Sequence, residues 1–258
     1  MAFYEILNPV FNPWLQPIIN ISPFLALVIL AVIISLLITL VYKFFTNQEK
    51  MKTMKEQQKE FQKRMKELRS NPEEMMKVQK EAMKTNMEYM KSSFKPTLIT
   101  MIPILIIFGW MAAHLSFEPL LPGMTYEVTA DFMEGLPGPA ELIVGEDVTL
   151  VSEPIQELVD HQATWKFKSK EKGEHLLTVK TDTTEQTKKI LITTTQEYLE
   201  PLETYENSEI TQINVVHNKL KPLKSIGIPW VSGWGWLGWY IILSLIFSMS
   251  LRKVLKIY

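Results

Sequence analysis

The residues with the most chemical potential in this chain are hydroxyls and cations set at helical spacing within apolar runs. Ser35, Thr39 and Lys43 follow one another at steps of four, and Ser244, Ser248 and Arg252 repeat that pattern. Thr97 and Thr100 open another apolar run. Residues four apart share a helix face, so each run carries a polar stripe toward one end. Such stripes perform no covalent chemistry, but they can solvate. A hydrated recess lined by them lowers the cost of moving a polar segment partway across a bilayer, several kcal/mol for each unsatisfied group. The plainer reading is that the hydroxyls bond back to their own helices, while Lys43 and Arg252 reach out to the membrane surface.

Other chemistry is excluded or unsupported. Cysteine is absent, which removes disulfides and thiolate metal sites, and His114, His161, His175 and His217 have no ligand spacing. No nucleophile elbow, phosphate loop or paired-carboxylate signature stands out. The chain is expected to be no enzyme and to hold no cofactor or metal, and nothing marks DNA as a partner.

Three spans must position the polar stripes. Residues 24–42 contain no charge, and about 20 helical residues at roughly 1.5 Å each cross a hydrocarbon core of about 30 Å. Residues 97–115 form a second run, with Pro103 inside it, and residues 230–251 a third that opens on Trp230, Trp234, Trp236 and Trp239. Its most apolar stretch starts at Trp236.

Lysine and arginine are retained on the cytosolic side, so their distribution predicts orientation. None precedes the first span, whereas residues 43–95 carry fourteen against eight glutamates. The N-terminus is therefore expected outside and the C-terminus, with Arg252, Lys253 and Lys256, inside. Lys219, Lys221 and Lys224 disagree with this assignment, but an odd number of spans fixes their loop outside. The start of the chain lacks a basic region and reads as an interfacial segment rich in aromatics and proline, not as a cleaved signal.

Between residues 47 and 95 there is one proline and no glycine, which predicts two antiparallel helices with a restart at Asn71 and Pro72. Met51, Met54, Phe61, Met65 and Leu68 step by threes and fours, and Met83, Met87, Met90 and Phe94 are expected to continue the seam of a coiled coil. A methionine seam can also repack around varied apolar segments, and the basic face suits ribosomal RNA or anionic headgroups. Residues 118–226 hold nineteen acidic and ten basic residues and alternate β-branched with polar positions. Seven strands, near 125–132, 141–144, 147–151, 163–167, 174–180, 188–195 and 209–216, predict an immunoglobulin-like sandwich with Trp165 in its core.

The expected fold class is thus an α-helical integral membrane protein, a three-span core with a cytosolic coiled-coil hairpin and an extracytosolic β-sandwich-like domain. Its divisions are an interfacial segment 1–22, spans 23–46, 96–117 and 227–251, a hairpin 47–95, a β-domain 118–226 and a tail 252–258.

This layout, with the hairpin KMKTMKEQQKEFQKRMKELRSNPEEMMKVQKEAMK, resembles the archaeal YidC-like proteins of the YidC and Oxa insertase superfamily. The resemblance covers residues 1–117 and 230–258, and the β-domain departs from it. It implies an insertase that passes a short polar end of a nascent protein through a cytosol-facing groove lined by Ser35, Thr39, Lys43, Thr97, Thr100, Ser244, Ser248 and Arg252. No arginine lies mid-span, unlike bacterial relatives. It further implies ribosome or nascent-chain contact through Lys50, Lys52, Lys55, Lys59, Lys63, Lys66, Met83, Met87 and Met90. Its partners would be lipids, ribosomes, nascent membrane proteins and further membrane subunits, in an archaeal plasma membrane. The alternative is a membrane-tethered scaffold linking a cytosolic to an envelope partner; a receptor has less support because no ligand pocket is legible.

Overall fold

The computed structural model describes residues 6–224, 231–255 and 257. Phe3 and Tyr4, Trp230 with the start of the expected third span, and Lys256 lie outside the described residues. Two compact units are formed, one from Met1–Asn8, Phe24–Gly109 and Leu237–Tyr258, the other from Pro9–Pro23 and Trp110–Trp236.

Among the described residues there are five α-helices: α1 (Asn8–Ile21), α2 (Pro23–Phe45), α3 (Gln48–Glu67), α4 (Pro72–Leu115) and α5 (Trp236–Val254). Three are long and apolar enough to cross a membrane: α2, α4 and α5. Span two is therefore not a separate helix. It is the second half of the 44-residue α4, whose first half is the returning arm of the hairpin, and Pro96 and Pro103 both lie inside it. Each proline removes one backbone donor, which a helix tolerates in an apolar setting when neighbouring hydroxyls and local adjustment satisfy the freed carbonyls.

Capping residues set the hairpin ends. Asn47 Oδ1 accepts from the Lys50 N–H at 3.0 Å to start α3, and Asn71 Oδ1 accepts from the Glu74 N–H at 3.4 Å, with Pro72 in the first helical position of α4. On α3 the buried side chains are Met51 and Met54, with Phe61 and Met65 half-buried, as is Leu68 just past its end. The expected seam on α4 is corrected. Met83, Met87, Met90 and Phe94 are 63, 58, 62 and 64% exposed. Val78 is buried, and Met75, Ala82, Thr85, Tyr89 and Ser92 are half-buried, a heptad rhythm on another face. Between the arms, Gln58 donates to Asn86 Oδ1 at 3.3 Å and Lys50 lies 3.9 Å from Glu88. The α4 face turned inward mixes Met75, Val78 and Tyr89 with the smaller Ala82, Thr85 and Ser92, so the spacing of the bulkiest apolar residues alone does not identify it.

In the second unit, the described residues form nine antiparallel strands in two sheets, ordered β3-β5-β1-β9-β8 and β4-β2-β6-β7. The strands are β1 (Thr125–Phe132), β2 (Ala140–Val144), β3 (Val148–Leu150), β4 (Ile155–Gln156), β5 (Gln162–Ser169), β6 (Gly173–Lys180), β7 (Glu185–Ile192), β8 (Leu202–Thr204) and β9 (Ile210–Val215). Both sheets contribute to one core, including Val128, Trp165, Phe167, Leu177, Val179, Ile190 and Ile213. β5 shows why: Ala163, Trp165, Phe167 and Ser169 alternate inward against exposed Gln162, Thr164, Lys166 and Lys168. The strand expected at 188–195 is β7, which ends at Ile192, because the Thr193 N–H turns to the Leu120 carbonyl and Thr195 N–H to Thr193 Oγ1.

The proline-rich α1 belongs mostly to this unit. Phe11, Leu15 and Ile19 are buried at steps of four. On the adjoining face Asn12 Oδ1 accepts from Trp110 Nε1 at 3.0 Å, Gln16 Nε2 donates to the Gln196 carbonyl at 2.8 Å, and Asn20 Oδ1 accepts from the Gln196 N–H at 2.9 Å. Two internal prolines are tolerated because this docking supplies the stability that their missing donors remove.

Candidate functional site

The polar residues of the spans lie in the first unit, and the structure brings together some of them. Tyr42, one turn beyond Thr39 on α2, is the meeting point. Its hydroxyl is 2.9 Å from Thr97 Oγ1 on α4, and the Arg252 guanidinium on α5 stands 5.1 Å from its ring centroid. Thr97 spends its single hydroxyl hydrogen on the Ser93 carbonyl at 2.8 Å, so Tyr42 donates and Thr97 accepts. The Arg252 cation faces the electron-rich ring, while its Nε is buried without a hydrogen-bond partner among the described residues. All three spanning helices thus meet in one cationic, hydroxyl-bearing node at the Lys43 end of α2.

Most other candidate hydroxyls are satisfied within their own helices. Thr39 is fully buried and donates to the Ser35 carbonyl at 2.6 Å. Buried Thr100 lies 3.1 Å from both the Pro96 and Thr97 carbonyls, and Ser244 donates to the Ile241 carbonyl at 2.9 Å. Ser35 differs: it is 1% exposed and its Oγ has no hydrogen-bond partner among the described residues. Ser248 is half-buried and Lys43 is exposed. Tyr42 closes the uncharged run 24–42 and does not fall on the step of four that marks Ser35, Thr39 and Lys43. Its place three residues after Thr39 and seven after Ser35, on the same face, was the available signal.

The hairpin carries the second set. Lys50, Lys52, Lys55, Lys59, Lys63 and Lys66 are all exposed on α3. Met76, Met83, Met87, Met90 and Phe94 stand outward on α4 at steps of seven, four, three and four, 58 to 67% exposed. A shallow cleft beside them is lined by Lys77, Lys80, Glu81, Met83, Lys84 and Met87. Five large apolar side chains in line on an otherwise charged helix form the kind of patch that marks a binding surface. Among the described residues no group of three or more metal-ligating side chains forms.

Three helices long and apolar enough to cross a membrane, a charged helical hairpin and a β-sheet-rich region are consistent with a multi-pass integral membrane protein. A family model for EMC3/TMCO1-like integral membrane proteins matches residues 8–139, and the chain belongs to that family. The family is insertase-related, within the Oxa1 superfamily, and is not specifically that of YidC. No curated protein and no solved structure matches the chain.

Proposed function

We propose that this protein is a membrane-protein insertase of the archaeal YidC-like kind, which guides nascent hydrophobic segments into the bilayer without chemistry or cofactor. The single observation that carries the reading is the outward methionine stripe on α4. In water, these four methionines and Phe94 are a standing cost unless something apolar covers them, and methionine adapts its shape to varied partners. The partner best suited is a helical apolar segment leaving the ribosome, held by the stripe while its polar flank meets the lysines of the hairpin. In this reading the hairpin is a cytosolic coiled coil, the β-sandwich lies outside, and the membrane is the plasma membrane.

The Tyr42, Thr97 and Arg252 node then serves as the polar mouth of the path. A cation and hydroxyls at one end of three spans attract water and the acidic or polar end of a client, while the apolar segment moves laterally into lipid. Ser35, with its unpaired hydroxyl, extends that polarity one step deeper.

The test is site-specific photocrosslinking in stalled ribosome–nascent chain complexes, from Met83 and Met87 and from Ser35 and Thr97, alongside insertion by the purified protein in liposomes. The reading expects adducts to short nascent chains at the methionines and to longer ones at the spans. Binding of a folded cytosolic partner without nascent-chain adducts at either set would replace it by a tethered scaffold.

A further inference from the structure

The lysines that precede the third span remain unexplained by any of this, and the β-domain gives them a place. Its chain enters directly from α4: the Leu220 N–H donates to the Ser116 carbonyl at 2.9 Å, the Glu118 N–H to the Asn218 carbonyl at 2.8 Å, and Phe117 pairs with Lys219. Residues 218–220 therefore lie alongside 116–118, within three residues of the last helical residue of span two. At the same end the turn Leu121-Pro122-Gly123-Met124 is pinned by Gly123, whose N–H donates to the Ser169 carbonyl at 2.6 Å and whose φ of +79° suits only glycine well. Pinned so, it holds Leu121 and Met124 outward, 43 and 56% exposed. Ser169 leads straight into Lys170.

Charge is sorted along this domain. Segments 116–124, 168–172 and 216–224 carry six lysines against Glu118 and Glu171. With the adjoining turns 144–147 and 193–200 included, this end is neutral. The opposite turns, 133–139, 157–161, 181–184 and 205–209, hold six carboxylates and no lysine or arginine. Lys224 is committed to Glu118 at 3.3 Å, whereas Lys170, Lys219 and Lys221 are exposed with no ion pair among the described residues.

We propose that the span-proximal end of the β-domain is a lipid-binding surface. Leu121 and Met124 seat at headgroup depth, and Lys170, Lys219 and Lys221 engage the phosphates of anionic phospholipids in the leaflet beneath. An apolar wedge supplies partition, and unpaired lysines beside it supply selectivity for anionic lipid, each enriching such lipid locally by about fivefold at most. The carboxylate-rich end is turned away from a negatively charged surface by the same field. These lysines therefore hold a translocated domain against the membrane and carry no information about which side it faces.

The absence of native cysteine makes the test direct. The full chain carrying Met124→Cys, labelled with an environment-sensitive NBD group, is placed in phosphatidylcholine nanodiscs with increasing phosphatidylglycerol; Met133→Cys, 53% exposed at the opposite end, is the reference. The expected result is blue-shifted emission at residue 124 only. Brominated phosphatidylglycerol should quench it two- to fivefold more than brominated phosphatidylcholine at equal mole fraction. Lys170→Gln with Lys219→Gln and Lys221→Gln should bring that ratio to one, with the blue shift retained. Quenching of residue 124 by aqueous iodide as readily as residue 133, or a lipid ratio of one with all lysines present, overturns the proposal. Neither readout involves client insertion, so its failure leaves the insertase reading standing, and the reverse.

Discussion

Replacing Met83, Met87 and Met90 together by serine separates recognition from packing. Fully burying a methionine side chain contributes about 1.5 to 3 kcal/mol. These three are 63, 58 and 62% exposed, so roughly three-fifths of that surface remains for a partner, a ceiling of about 3 to 5 kcal/mol for the set. A helix lying in a shallow groove covers about half of it, which leaves about 2 kcal/mol, or roughly 30-fold in Kd. Stability should hardly move, because substitutions at exposed positions stay within about 0.5 kcal/mol each. Met51→Ala with Met54→Ala reverses the pattern: both are buried, and each truncation costs about 2 to 5 kcal/mol of hairpin stability. The assay is affinity for a fluorescent single-span peptide in detergent-free buffer, with helix melting followed by circular dichroism in nanodiscs. If the serine variant melts early, or binds the peptide as tightly as the parent, the stripe is structural and the argument from exposure is wrong.

Three further outcomes follow from the geometry. Tyr42→Phe and Thr97→Val should each lower the unfolding free energy of the spanning helices by about 1 kcal/mol, with the double variant no worse than either, read by thermal melts in nanodiscs; additive losses would mean that the two hydroxyls do not bond each other. Glu209 accepts from Thr183 and Thr181 at 2.5 and 2.8 Å, and these bonds hold its carboxyl below the ordinary value of 4.5. Its contribution is present above pH 4.5 and lost as pH falls through the lowered value, so Glu209→Gln should flatten the acid-side loss in hydrogen exchange of β6, β7 and β9. Tyr198 donates to the Ala112 carbonyl and accepts from the Ser116 N–H; burial pushes its phenol up to about 12. That contribution is intact below pH 10 and disappears between pH 10 and about 12, and Tyr198→Phe should abolish this alkaline loss in the exchange of residues 112–117 while weakening the junction at neutral pH.

What could be read from sequence was whatever one period governs. The spans are legible because composition and length decide them, and β1, β5 and β6 because alternation persists for eight residues. β4 and β8, two and three residues long, lie below the length at which alternation is visible, and they are edge strands whose shortness itself discourages pairing with other chains. α1 was legible as apolar but not as docked, since its partners Trp110 and Gln196 are about 100 and 180 residues away. At the site, hydroxyl spacing placed Ser35 and Thr39 on one face correctly, yet spacing cannot distinguish a hydroxyl that faces a neighbour from one bonded to its own carbonyl four residues back, and Thr39, Thr100 and Ser244 are of the second kind.

The expected and observed faces of the hairpin arm differ for a reason that bears on function. A helix in water normally buries its largest apolar residues, and the hairpin arm of α4 instead buries Val78 beside half-buried Met75, Ala82, Thr85, Tyr89 and Ser92 while showing Met76, Met83, Met87 and Met90. Because α4 is unbroken from Pro72 to Leu115, the outward line does not stop at the membrane. Leu98, Met101 and Leu105 continue from Phe94 at steps of four, three and four, 45, 48 and 59% exposed. In the bilayer that exposure is the ordinary condition of a span; along the hairpin arm it is not. One helix face is thus apolar along both the hairpin arm and the span, and under the proposed insertase reading a client segment held against the methionines advances along this ridge toward lipid.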